Sequence, residues 1–371
     1  MGEIGTRLLQ GILHLGPGPL LMVGVGALLI YLAVAREYEP MLLLPIGAGC
    51  ILANLPLSPL VGPEGMLDIL RRAGVDNELF PLLIFIGIGA LTDFGPLLEN
   101  PRMVLLGAAG QFGIFGTLIL ALLLGFNVNE AASIGIIGAI DGPTAIYVTN
   151  TLAPHLLGPV AVAAYSYMSL VPIIQPPIMR LLTGREERRI RMPYSLRPIS
   201  RRTRILFPLV VLIVVGTLVP FATPLIGMLM LGNLMRESGV VERLTGASSQ
   251  EIANIVTLFL GLAVGSTMQA GTFLKLDTLL ILGLGILAFA LDTAAGLMFA
   301  KGLNALAGGL NPLLGAAGIS AFPMAARVVQ RVGQEEDFEN FLLMHAMGAN
   351  TAGQIASVVA GGVVLALLGA R

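Results

Sequence analysis

Thirteen apolar runs divide the chain: Leu20–Ala35, Met41–Leu55, Leu79–Leu91, Met103–Leu124, Ala132–Val148, Leu156–Ile174, Ile205–Val219, Ala222–Leu234, Ile255–Ala270, Leu279–Phe289, Ala294–Ala300, Pro312–Ala326 and Phe341–Leu368. A helix needs about 20 apolar residues to cross the hydrocarbon of a bilayer. Several runs reach that length and several do not. The short ones carry internal Gly or Pro, so they are either re-entrant hairpins or halves of broken helices. Both are tolerated at membrane depth only where protein or a hydrated cavity covers the freed backbone groups. The pattern predicts an all-α polytopic membrane protein.

Two stretches read as copies of one plan. The run from Phe85, "FIGIGALTDFGPLLENPRMVLLGAAGQFGIFGT", lies over the run from Phe259, "FLGLAVGSTMQAGTFLKLDTLLILGLGILAFALDT". "GAIDGPTA" from Gly138 lies over "GISAFPMA" from Gly318, setting Pro143 against Pro323. Shared Gly and Pro punctuation carries the comparison. Two halves with interrupted hydrophobic segments at matching places are the layout of many transporters, in which half-helix ends hold an ion near the midplane. The expected organisation is residues 1–78 as N-terminal membrane helices, 79–179 as a first repeat core, 180–204 as a connector, 205–253 as further helices, 254–340 as a second core and 341–371 as a C-terminal membrane region. The few charges outside the connector do not fix whether the second half is inverted.

Charge sharpens the picture. Of 371 residues only 12% are charged, 56% are hydrophobic, and the mean hydropathy is +0.88; soluble domains carry roughly a quarter charged residues. No charged residue occurs between Arg102 and Glu130, Asp141 and Arg180, Arg204 and Arg236, Glu251 and Lys275, or Glu339 and Arg371. The connector alone holds nine of the 21 basic residues: Arg180, Arg185, Arg188, Arg189, Arg191, Arg197, Arg201, Arg202 and Arg204. Basic residues flanking crossings stay cytoplasmic, which predicts a multi-pass protein of a bacterial inner membrane with this connector inside. A nucleic-acid role would need a soluble scaffold and interleaved aromatics, which are absent; anionic lipid or a cytoplasmic partner fits the arginines better. Met1–Gly18 has no apolar stretch long enough for a cleavable signal. Cys50 is the only cysteine and reads as a buried small hydrophobe.

Few polar residues stand inside the apolar runs. Asp141, in "GIIGAIDGPTAIY", is a carboxylate at membrane depth followed by a Gly142–Pro143 break. Such a group faces a cavity, is paired, or holds an ion. The break frees carbonyls, and Pro143 suits the start of a half-helix whose dipole favours an anion at Asp141. The matching segment, Asn311–Arg331, offers Asn311 and Ser320 as neutral oxygen ligands and Gly315, Gly318 and Pro323 as the interrupted backbone. One carboxylate with amide, hydroxyl and carbonyl oxygens suits Na⁺; a divalent ion would favour more carboxylates, and a transition metal imidazole or thiolate. His14, His155 and His345 form no cluster in sequence. Arg327 follows Ser320 by two helical turns and either reaches lipid headgroups or clamps an entering carboxylate. Tyr167 reads equally as an interfacial aromatic or as a cavity residue. Asp292 is a second intramembrane carboxylate, with Lys301 as a candidate partner.

"IGAIDGPTAIYVT", "DTAAGLMFAK", "NPLLGAAGISAFPMAARVVQ" and "NFLLMHAMGANTAGQIASVVAGG" together resemble the beta subunit of the sodium-pumping biotin-dependent decarboxylases, the oxaloacetate, methylmalonyl-CoA and glutaconyl-CoA enzymes. The resemblance runs from about Leu20 to the end, departing where Ala349 stands in place of the family's usual Pro. It implies two inverted halves and a subunit that takes carboxybiotin from a peripheral partner, releases CO₂ and moves Na⁺ outward. It further implies that Asp141, Asn311 and Ser320 bind Na⁺, that Tyr167, Ser320 and Arg327 serve the chemistry, and that Arg327 receives the carboxybiotin. Gly142, Pro143, Gly315 and Pro323 then shape the site. Implied partners are a carboxyltransferase alpha subunit, a biotin carrier, a small membrane gamma or delta subunit and a second copy of the chain. With lysines only at Lys275 and Lys301 and no biotinylation motif, biotin must be delivered. The rival readings are an ion-coupled secondary transporter with the same broken-helix core and no decarboxylation, and a structural anchor for a soluble enzyme.

Overall fold

The computed structural model describes residues 11, 14–193 and 199–369; Arg197 and most of the stretch read for a signal lie outside them. Among the described residues the chain is helical, without a strand. Its principal helices are α1 Pro17–Ala35, α2 Pro40–Asn54, α3 Leu79–Leu91, α4 Met103–Ala109, α5 Phe112–Leu123, α6 Val128–Gly135, α7 Gly142–Leu152, α8 Leu157–Leu182, α9 Arg201–Leu218, α10 Thr223–Ser238, α11 Ala253–Ser266, α12 Leu276–Ala307, α13 Met324–Glu336 and α14 Leu343–Leu368. Among the described residues five spans are long and apolar enough to cross a membrane, or up to seven if each of two bent pairs counts as one. The chain is thus an all-α polytopic membrane protein. Large apolar side chains such as Val210 and Ile213 on α9 remain exposed, as lipid-facing positions do.

Glycine sets how closely the helices approach. A Cβ on Gly26 of α1 would lie 2.7 Å from the Gly47 carbonyl oxygen of α2, and one on Gly47 would lie 2.6 Å from the Gly26 oxygen. The α3–α10 pair meets the same way through Gly89 and Gly232. In lipid the tails are as apolar as the side chains, so such backbone-close packing supplies the attraction between helices.

The two interrupted segments are re-entrant hairpins. The first descends through α6, whose N-terminus is closed by a capping box between Asn127 and Glu130, then a 3₁₀ turn Ile136–Ala139. It reverses at Ile140, whose φ of 52° is left-handed, and at Asp141, and returns as α7. Its open end is tied where Glu130 lies 3.0 Å from His155, and Thr151 donates to Glu78 at 3.0 Å. The second enters through a 3₁₀ turn Pro312–Ala317 capped by Asn311, reverses over Gly318–Pro323 and returns as α13. The tips touch: the Ser320 N–H donates to the Ala139 carbonyl at 3.2 Å.

α12, about 48 Å long at 1.5 Å per residue, measures the distance between the hairpin mouths. Its first residues border one cavity with Glu130 and His155. Near its other end Lys301 donates to the Leu182 carbonyl at 2.9 Å and lies 3.3 Å from Glu187. The hairpins therefore enter from opposite ends of the bundle. Lys301 is committed to the connector, which corrects the expectation that it partners Asp292.

At its own end the connector is clamped onto the second hairpin. Arg180 pairs with Glu335 at 2.5 Å, Arg188 with Glu336 at 2.5 Å, and Arg191 with Asp337 at 2.6 Å and Glu339 at 2.9 Å. Asn311 and Asn340 each donate to both the Arg188 and the Ile190 carbonyls.

Candidate cation site between the hairpin tips

Asp141 is 4% exposed and caps α7. Its Oδ1 accepts the Thr144 N–H at 3.3 Å and its Oδ2 the Thr144 hydroxyl at 2.9 Å. A third donor comes from α14, where the Ser357 hydroxyl lies 3.0 Å from Oδ2. Desolvating a carboxylate is costly unless donors replace the lost water, and these three do so. Ser320, at the tip of the second hairpin, is 2.6 Å from the Ser357 oxygen and 3.0 Å from the Gly353 carbonyl. A hydroxyl has one proton; with the Ser357 proton on Asp141, Ser320 donates to Ser357. The two hairpins thus join through a hydroxyl chain, Ser320 to Ser357 to Asp141.

The break in the second hairpin frees carbonyls that amide side chains of three other helical regions take up. Gln175 donates to Ala316 at 2.7 Å, Asn350 to Ala317 at 3.2 Å and Ile319 at 2.6 Å, and Gln111 to Gly318 at 3.2 Å. This satisfies the requirement that irregular backbone at membrane depth be covered by protein. A cavity of about 350 Å³ opens beside the tips, walled by Leu91, Met168, Pro323 and Gln354 with Asp141 and Ser320 among its polar groups. The Gln354 Oε1, though buried, has no hydrogen-bond partner among the described residues.

Glycine makes this geometry possible. A Cβ on Gly142 would fall 1.9 Å from the Tyr165 ring, and one on Gly315 would fall 2.0 Å from the Gly296 carbonyl oxygen of α12. The ring of Tyr165, one face of α8 from Tyr167, therefore packs directly under the Asp141 turn. Pro143 sits in the first turn of α7, where its missing N–H costs nothing.

Of the residues singled out in the sequence, Asp141, Gly142, Pro143, Ser320 and Pro323 come together. Asn311 stands apart, its amide spent on the Arg188 and Ile190 carbonyls and its Oδ1 on the Leu313 N–H. Tyr167 turns away onto α12, donating to the Leu282 carbonyl with its ring against Gly285. Arg327 is exposed one turn beyond Pro323, whose carbonyl accepts its N–H at 3.2 Å, and its guanidinium has no ion pair among the described residues. Ser357, Gln354 and Asn350 were missed by sequence reasoning: in "NTAGQIASVV" they read as ordinary small or polar positions of a membrane helix. Their spacing of three and four residues, which puts them on one face of α14, was the available signal.

Among the described residues no group of three or more His, Cys, Asp or Glu side chains could hold a metal. One carboxylate beside two hydroxyls and an amide oxygen is a hard-oxygen set of low charge, suited to a monovalent cation. Comparison with known proteins gives this chemistry a context. The family described as Na⁺-transporting oxaloacetate decarboxylase beta subunit matches residues 18–368. Methylmalonyl-CoA decarboxylase subunit beta of Propionigenium modestum is 52% identical, with 97% of each chain covered. Glutaconyl-CoA decarboxylase subunit beta of Acidaminococcus fermentans is 52% identical over 95% of this chain and 94% of its own. Oxaloacetate decarboxylase beta chain of Klebsiella pneumoniae is 48% identical over 96% of each. The family match spans both hairpins, the connector and α14, so the chain belongs to the Na⁺-transporting oxaloacetate decarboxylase beta subunit family.

Proposed function

We propose that this chain is the membrane subunit of a primary Na⁺ pump, in which loss of CO₂ from carboxybiotin brought by a partner chain drives Na⁺ out of the cytoplasm. The observation that carries the reading is the contact between the hairpins: a buried carboxylate on one is joined by hydroxyls to the tip of the other, and their mouths face opposite ends. A cation held between two such tips bonds to both, so its affinity changes when they shift. That differential is what coupling requires, since equal affinity for two states moves no population.

In this reading Na⁺ is bound by Asp141 and Ser320 with Ser357 and Gln354 completing the shell. Asn311, rather than a ligand, pins the mouth of the second hairpin to the connector, and Tyr167 fixes α8 against α12. The connector end is cytoplasmic by its excess of arginine, with anionic lipid as its surroundings.

Carboxybiotin, when bound, supplies an N-carboxylate that loses CO₂ once it leaves water. The residues fit such a group: Arg327 presents an exposed guanidinium one turn outside the cavity, without an ion pair among the described residues, and would hold the carboxylate. The apolar wall of Leu91, Met168 and Pro323 excludes water, and the Ser320–Ser357–Asp141 hydroxyl chain can hold or pass a proton. The carboxyltransferase alpha subunit, biotin carrier and small gamma or delta subunit are separate chains. The acyl substrate is chosen by the carboxyltransferase, and a second copy of this chain completes the assembly.

The test is ²²Na⁺ uptake and CO₂ release by the whole complex in proteoliposomes, compared with Asp141→Asn. Loss of both activities in the variant is expected. Continued CO₂ release from carboxybiotin with no Na⁺ dependence, or Na⁺ movement without any decarboxylation, would refute the coupling.

A further inference from the structure

Asp292 lies at the middle of α12 and is wholly buried. Its Oδ1 accepts a hydrogen bond from the backbone N–H of Gly113, the second residue of α5, so α12 caps the start of α5 from outside. Its Oδ2 has no hydrogen-bond partner among the described residues and lies against the first hairpin, where a Cβ on Gly138 would fall 2.9 Å from it. A Cβ on Gly113 would fall 2.6 Å from the Asp292 Cγ. Three segments, the start of α5, the inbound arm of the first hairpin and α12, therefore converge on one carboxyl group, with glycine on the other two. The same turn of α12 meets the second hairpin: Gln175 bridges Thr293 at 3.5 Å and Ala316 at 2.7 Å, and a Cβ on Gly296 would fall 2.2 Å from the Gly315 carbonyl oxygen.

We infer that Asp292 is a positioning residue for the cation site. It sets the depth of the first hairpin through Gly138, whose neighbour Ala139 receives the Ser320 N–H and which precedes Asp141 by three residues. It acts by shape and by accepting the Gly113 N–H, and not as an ion ligand. The glycine backbone already occupies the side of the carboxyl group that a cation would need, and a monovalent cation requires several oxygens around it. Removing the wedge lets the hairpin tip settle differently against the Ser320 turn, which weakens the cation site without deleting any ligand. This inference rests on the reading of Asp141 and Ser320 as the Na⁺ site.

The experiment titrates Na⁺ against CO₂ release and ²²Na⁺ uptake by the whole complex carrying Asp292→Asn or Asp292→Ala, beside Asp141→Asn. Asn keeps the size and the acceptor, so its apparent KM for Na⁺ and its kcat stay within about threefold of the parent. Ala loses both, so the apparent KM for Na⁺ rises roughly tenfold, the size of one hydrogen bond's effect, while most of kcat returns at saturating Na⁺. An inactive Asn variant would mean that the carboxylate itself carries a cation or proton, and would overturn the inference. An Ala variant with unchanged KM would overturn it as well. If Ala prevents assembly, the Asn variant still decides, because a carrier cannot survive that change and a wedge can. Retained Na⁺ transport in Asp141→Asn would remove the underlying site reading, whereas an inactive Asp292→Asn beside an inactive Asp141→Asn removes only the present inference.

Discussion

Ser357 of α14 donates its hydroxyl to the Asp141 carboxylate across 3.0 Å, although the two residues are 216 positions apart. The same oxygen is 2.6 Å from Ser320, so one side chain outside both hairpins connects them. In the proposed reading this places α14 beside the cation site.

Replacing Ser357 by Ala removes a hydrogen bond to a charged group, worth about 1.5–3 kcal/mol. The apparent KM for Na⁺ is expected to rise roughly 10- to 100-fold, with Ser357→Thr close to the parent. Initial rates of ²²Na⁺ uptake across a Na⁺ titration measure it. An Ala variant with the parent KM would take Ser357 out of the site.

Gly142→Ala drives a methyl group into the Tyr165 ring, where a Cβ has only 1.9 Å. Overpacking of this kind costs about 1–3 kcal/mol. Thermal unfolding of the purified protein in detergent will show a lowered midpoint. The double variant with Tyr165→Leu recovers part of it, since contacting residues couple.

Arg327 carries no ion pair among the described residues, so Arg327→Ala is expected to assemble and unfold like the parent while CO₂ release from free carboxybiotin falls. Arg327→Lys keeps the charge without the planar fork and recovers only part of the rate. The kinetics of CO₂ release by the purified complex distinguish the two. Equal activity of the Ala variant would assign the anion-holding role elsewhere.

The connector clamp depends on pH. Hydrogen bonding by Arg188 holds the Glu336 carboxyl below its usual 4.5, and Arg191 holds Asp337 below its usual 3.8. A carboxylate depressed in the folded state adds stability that is whole above its unfolded pKa and is lost as pH falls through the folded one. The clamp is thus complete at neutral pH and loosens only in acid, progressively below those usual values. Protection from hydrogen exchange at residues 183–191, measured against the intrinsic rate at each pH, is expected to fall there, and to be low already at neutral pH in Arg188→Ala. Uniform exchange in both would mean that the asparagine bonds alone hold the connector.

Sequence and structure part company at identifiable places. The gaps between charged residues and the Gly and Pro punctuation marked both hairpins, and Asp141, Ser320, Gly142, Pro143 and Pro323 meet as their motifs suggested. Asn311 was expected as a ligand from its place beside an interrupted helix; the structure puts it at the mouth of the second hairpin, donating to the Arg188 and Ile190 carbonyls, and one dimension does not tell mouth from tip. Tyr167 was named for its hydroxyl within a crossing, but it is Tyr165, two residues away and in a different helical phase, whose ring lies under Gly142. Lys301 was nearest to Asp292 along the chain, but the mouth of the connector claims it and a backbone N–H of α5 serves Asp292.

Hydrophobicity is a local property, additive along a segment, so the amino-acid order by itself determined that the chain is helical, many times membrane-embedded, asymmetric in charge and interrupted at two places. Hydrogen bonding between distant side chains is not local: whether the α14 hydroxyl finds Asp141, and whether a hairpin returns to the face it entered, depends on how closely helices pack. Backbone approach at Gly26, Gly89, Gly138 and Gly315 sets those distances, and only the folded arrangement decided them.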